Sequence, residues 1–126
     1  MYVKELTEKY FEAWEKRDPD AIASLHTEDS VFHLHTAGQE PARGREEVRA
    51  AFGAMFEQFP DLSFEQVSLH IGENFWAVEW KVRATGLEAD LADVVTVEDG
   101  LVKSKQSYLD ALSFQEQLEA AAPQAA

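Results

Sequence analysis

A chain of 126 residues, 45% hydrophobic and 28% charged, is long enough for one domain with its own core, which excludes a disordered or disulfide-dependent class. Lys plus Arg number 11 against 24 Asp plus Glu, and the net charge of −13 argues against nucleic-acid and membrane-surface partners, because such a surface repels phosphate and anionic lipid. With no Cys, disulfides, thiolate catalysis and Cys-bound metals are excluded together, and the 4 His residues lack zinc-protease spacing. The chain is charged from Lys4 onward with no apolar leader, and its apolar runs are far shorter than a membrane span, so the expected location is the cytoplasm.

Residues 3–17 carry Leu6, Tyr10, Phe11, Ala13 and Trp14 at helical spacing, with Lys4, Glu8, Glu12 and Glu15 turned outward. Asp18 is a good N-cap and Pro19 fits the first helical position, so a second, short helix is predicted from 19 to about 26. Residues 27–30 read as a turn, and Val31-Phe32-His33-Leu34-His35 as a strand. A loop with Gly38, Pro41 and Gly44 leads to a third helix, 45–58, whose stripe is Val48, Phe52, Met55, Phe56 and Phe59. Pro60 stops it. Strands then follow to about residue 112. The first spans Leu62 to Ile71, with an irregularity near Gln66, and the second runs from Phe75 to Thr85. In the latter Trp76, Val78, Trp80 and Val82 share one face. Residues 89–97 and 101–109 form a hairpin around Glu98-Asp99-Gly100, and 114–122 a helical tail. Helices first and strands afterwards predict an α+β fold: a cone of curved antiparallel sheet wrapped around three N-terminal helices. One domain, 1–122, would be followed by a disordered tail, 123–126.

The order of elements and a series of short motifs resemble the nuclear transport factor 2-like (cystatin-like) superfamily, and within it the SnoaL-like polyketide cyclases and ketosteroid isomerases. The motifs are Tyr10-Phe11-Glu12-Ala13-Trp14, Asp18-Pro19-Asp20-Ala21-Ile22, Glu28-Asp29-Ser30-Val31-Phe32, Gly44-Arg45-Glu46-Glu47-Val48, Leu91-Ala92-Asp93-Val94-Val95 and Tyr108-Leu109-Asp110. Together they are specific for the fold and not for an activity, since the fold hosts enzymes and non-catalytic binders. The resemblance implies an apolar cavity lined by Trp14, Phe32, Leu34, Met55, Phe56, Phe59, Trp76, Val78, Trp80, Val95, Lys105 and Leu109, some of which must be core.

Ketosteroid isomerases use a carboxylate base, a buried Tyr and a protonated Asp to move a proton beside a carbonyl. In this chain the resemblance sets Tyr10 at the phenol and Asp93 at the protonated Asp, while His26 and Phe52 stand where some isomerases carry supporting Tyr residues. Counted forward from Val31 the base position falls on Leu34; counted back from Gly38-Gln39-x-Pro41 it falls on His35, which alone of the two could act as a base. His33 and His35 share a strand face. A three-residue loop pairs Val97 with Leu101, sets Asp93 opposite Lys105 and turns Ser107 and Leu109 inward, whereas a two-residue loop turns Gln106 and Tyr108 inward. The resemblance selects the first, and a cation that close favours an ionised Asp93. The Asp-Arg-Asp set of the limonene epoxide hydrolase branch is not matched, since Ser107 falls at its last Asp and Trp76 near its Arg. Two functions are therefore expected in competition: proton transfer beside a carbonyl, with His35 as base and Tyr10 and Asp93 as polar partners, or binding of an apolar small molecule without turnover. No cofactor is implied, because no Gly-rich phosphate motif or thiolate is present. Phe75, Ala77, Ala92 and Val94 among the outer charges predict a homodimer through the sheet.

Overall fold

The computed structural model describes residues 2–36 and 38–121, so the expected tail at 123–126 lies outside the described residues. The order is α1 (Val3–Glu15), α2 (Pro19–Ala23), β1 (His26–His35), β2 (Ala42–Arg43), α3 (Arg45–Gln58), β3 (Ser63–Ile71), β4 (Phe75–Ala84), β5 (Leu87–Glu98), β6 (Leu101–Leu109) and α4 (Ala111–Ala121). No described helix is long and apolar enough to cross a membrane.

Local chemistry accounts for the helix starts. The Asp18 side chain accepts from the backbone N–H groups of Asp20 and Ala21 at 3.0 and 3.2 Å, and Pro19 takes a position where no N–H is needed. Leu6, Tyr10 and Ala13 form the buried stripe of α1, and Val48 and Phe52 that of α3. These stripes meet Phe32, Trp76, Val78, Val95 and Val102 from one face of the sheet.

The fold is α+β with N-terminal helices, as expected, but the six strands form a mixed sheet in the order β2-β1-β6-β5-β4-β3. β1 runs parallel to β6, so the sheet is not wholly antiparallel. The β2 pairing, two residues long, carries too little sequence pattern to stand out from its loop. The expected turn at 27–30 is an irregularity inside β1, where the register moves from His26↔Val102 to Val31↔Ser104. The irregularity expected near Gln66 is present between Gln66 and Ser68.

The β5–β6 hairpin turns through two residues rather than three. Asp99 and Gly100 have φ of 53° and 76°, and Glu98 pairs with Leu101. Both positive values fit the tight turn that matches strand twist. A register shift after Val97 then inserts one residue on β6, so that Thr96 faces Ser104 and Asp93 faces Ser107. Asp93 is thus not opposite Lys105; Val95 is. The added residue restores the side-chain alternation, and Lys105 and Ser107 are buried on the helix-covered face after all.

Candidate functional site

Cross-strand register decides what reaches the interior. Leu34, Ser107, Asp93 and Val78 lie in one row across β1, β6, β5 and β4, and Phe32, Lys105, Val95 and Trp76 in another. The alternate rows hold His33, Gln106 and Val94, and His35, Tyr108 and Ala92. Directly paired residues share a face, so the histidines belong to the opposite side of the sheet from Leu34.

Between the helices and this inner face lies a cavity of about 1070 Å³. Of the expected lining, Trp14, Phe32, Leu34, Met55, Phe59, Trp76, Trp80, Lys105 and Leu109 are on its wall, and Tyr10 and Asp93, expected as polar partners, are there too. Phe56, Val78 and Val95 do not line it. Phe56 packs its ring 5.3 Å from Trp14, while Val78 and Val95 are buried in the core. Phe11, Phe64 and Leu91 line the cavity although they were not expected there. Phe11 and Leu91 sit in the family-like motifs and Phe64 on a strand stripe, so pattern alone could have included them.

His35 does not line the cavity. Its Nε2 is 2.6 Å from Gln106 Oε1, its ring stacks on Tyr108 at 4.4 Å, and the His33 ring is 3.9 Å away. The pleat is the reason: Leu34 points inward, so its neighbour cannot. Of the two residues that the sequence counts left open, Leu34 faces the cavity and His35 does not.

Asp93 is 4% exposed and its oxygens are both engaged. Ser107 Oγ donates to Oδ1 at 2.5 Å and Trp80 Nε1 donates to Oδ2 at 3.0 Å. Lys105 Nζ lies 3.7 Å from Oδ2, and its side chain is 8% exposed. Burial works against the Lys105 charge, but the neighbouring Asp93 carboxylate, with Tyr10, outweighs it and holds the ammonium above the usual lysine range. The carboxyl of Asp93 thus accepts two hydrogen bonds and faces a cation, which is the reverse of the donor role that the isomerase resemblance implied.

The Tyr10 hydroxyl is 2.8 Å from His26 Nε2. Burial pushes the Tyr10 hydroxyl above its ordinary range, against the pull of Lys105. Burial, then the charges of Lys105 and Arg45, hold His26 down to about 3, so its ring is neutral. Arg45 fixes the same residue from behind, donating from Nε and Nη2 to the His26 carbonyl at 3.1 and 2.7 Å. His26, which stands where some isomerases carry a supporting Tyr, thus gives Tyr10 a buried imidazole partner. Among the described residues, no three His, Asp or Glu side chains come together as a metal site would need.

The same architecture recurs in solved structures. A protein provisionally assigned as a SnoaL-like polyketide cyclase from Jannaschia sp. CCS1 is similar with a TM-score of 0.80 and 16% identity, over 95% of this chain and 94% of that one. A protein with a ketosteroid isomerase-like fold from Catenulispora acidiphila DSM 44928, in complex with trimethylamine, gives 0.76 and 17% over 90% and 91%. A cystatin-like protein from Silicibacter pomeroyi DSS-3 gives 0.75 and 22% over 92% and 81%. No match was found among the curated proteins. The model of the SnoaL-like domain matches residues 7–105, a stretch that runs from α1 to the Lys105 that meets Asp93 on the cavity floor, and the chain belongs to that family.

Proposed function

We propose that this chain binds a flat, largely apolar small molecule bearing a neutral oxygen acceptor, which meets Lys105 at the floor of the cavity. The observation that carries this reading is the position of Lys105. Its ammonium is buried on the cavity wall, and its nearest carboxylate oxygen, at 3.7 Å, is beyond hydrogen-bond length. Such a group has N–H capacity left for an acceptor. Lys105 and Asp93 together add no net charge to the floor. A ligand carboxylate would add an uncompensated negative charge, in a chain already at −13, and a ligand amine would set a second cation beside Lys105. A carbonyl adds neither. The aromatic walls of Trp14, Trp76, Trp80 and Phe64 favour a flat apolar body.

Binding without proton transfer is supported by Leu34, and not His35, facing the cavity and by the hydrogen bond that each Asp93 oxygen already accepts. Turnover is the second reading. It is favoured by Tyr10 and Asp93 sharing the cavity and by the provisional cyclase assignment of the Jannaschia relative. The trimethylamine held by the Catenulispora relative supports a small-molecule role for the fold, although here a cation is already part of the floor. We also infer a homodimer through the outer sheet face, where Phe75 and Val94 are 40% and 41% exposed.

Calorimetry with three ligands of one shape tests the binding reading: 2-acetylnaphthalene, 2-naphthoate and 2-naphthylmethylammonium. The neutral ketone should bind at least about tenfold more tightly than either ion, a difference of about 1.4 kcal/mol. Equal affinities, or preference for the anion, would refute it. Mass spectrometry of material co-purified with the protein would identify the natural ligand.

A further inference from the structure

Lys105 sits in a cage as well as an ion pair. Its Nζ is 4.4 Å from the Trp14 ring centroid, 5.0 Å from that of Tyr10 and 5.8 Å from that of Phe52. The Asp93 carboxylate closes a further side. Aromatic faces and a carboxylate converging on one point are the chemistry that recognises an ammonium ion.

The walls come from elements other than the one that supplies the cation. Tyr10 and Trp14 belong to α1, Phe52 to α3 and Asp93 to β5, whereas Lys105 belongs to β6. Each wall also has a partner besides Lys105. Tyr10 is held by His26, Trp14 and Phe52 pack with centroids 4.8 Å apart, and Asp93 is held by Ser107 and Trp80. Phe52 and Tyr10 are 0% and 1% exposed, so neither can swing out without opening the core.

We propose that the deep end of the cavity is an ammonium-binding cage that the chain fills with its own Lys105, and that Lys105 is thereby the specificity-determining residue of the pocket. The tethered cation shuts out external alkylammonium ions and converts their site into a donor for an uncharged acceptor. The cage stands on geometry alone; only its consequence for ligand choice rests on the binding role proposed above.

Lys105→Ala removes the side chain beyond Cβ, and n-propylammonium supplies the same atoms. n-Propanol has a similar shape and no charge. Calorimetry and thermal unfolding of the variant with each additive separate cation recognition from simple filling of space. The variant should prefer n-propylammonium by about tenfold or more, the size expected for a desolvated cation on aromatic faces. Wild type should respond to neither, and Asp93→Asn combined with Lys105→Ala should lose the preference. Should Lys105→Ala not fold alone, refolding from urea in n-propylammonium should recover the native circular dichroism, and n-propanol should not. Equal effects of both additives, or none from n-propylammonium in either format, would overturn the cage. A Lys105→Ala variant that takes up n-propylammonium, alongside a wild type that ignores 2-acetylnaphthalene, would refute the binding role and leave the cage standing.

Discussion

His26 should make the protein lose stability in mildly acidic solution. The ring is wholly buried and held neutral, with its titration lowered from 6.5 to about 3 by burial and by the charges of Lys105 and Arg45. In the unfolded chain it takes up a proton near pH 6.5, whereas in the folded chain it does not until about pH 3. The unfolded state therefore binds more protons throughout that window, and stability falls as pH falls, by about 1.4 kcal/mol per unit once below 6.5. At pH 5 the loss relative to pH 7.5 should be about 2 kcal/mol. Urea unfolding at both pH values measures it directly. His26→Gln supplies the control, because Gln can still meet the Tyr10 hydroxyl but does not ionise. That variant should lose about 2 kcal/mol less between the two pH values than wild type does. Equal losses would mean that His26 is protonated in the folded protein or reaches water, and the neutral Tyr10–His26 pair would be refuted.

Other consequences are as specific. Asp93→Asn leaves the Lys105 ammonium buried without its carboxylate and should cost about 3–5 kcal/mol in urea unfolding. Because the Lys105 titration is raised, its pairing stabilises fully below the unfolded value of 10.5 and is lost as pH climbs through the higher folded value, so Lys105→Met should flatten the alkaline unfolding curve. His35→Ala should leave affinity for 2-acetylnaphthalene within about twofold, since His35 is outside the cavity, while Leu34→Trp should block it. The proposed homodimer should tighten with salt, as screening relieves repulsion between chains of charge −13, and sedimentation showing only monomer at high protein concentration would contradict it.

The helices were legible because their signals are local and redundant. Asp18-Pro19 carries its cap in adjacent residues, and the bounds of α3 follow from its stripe and Pro60. The inward face of β4 was equally plain from Trp76, Val78, Trp80 and Val82. What sequence could not carry was register, which depends on backbone pairing between distant segments. The Asp99-Gly100 pair is itself a two-residue turn signal, yet the added residue on β6 that offsets it has no compositional mark. Lys105 was thus expected inward for a reason that does not hold, with Ser107 occupying the place opposite Asp93. Which of Leu34 and His35 faces the cavity was a question of the same kind, one residue of alternation that the pairing of β1 with β6 answers.

Docking of a neutral oxygen on Lys105 at the floor of the cavity is tested most directly by a crystal structure of the protein with 2-acetylnaphthalene. The naphthalene rings should lie between the aromatic walls, with the carbonyl oxygen about 3 Å from Lys105 Nζ. A carbonyl oxygen directed to the cavity mouth, or a ligand bound on the outer sheet face, would contradict it.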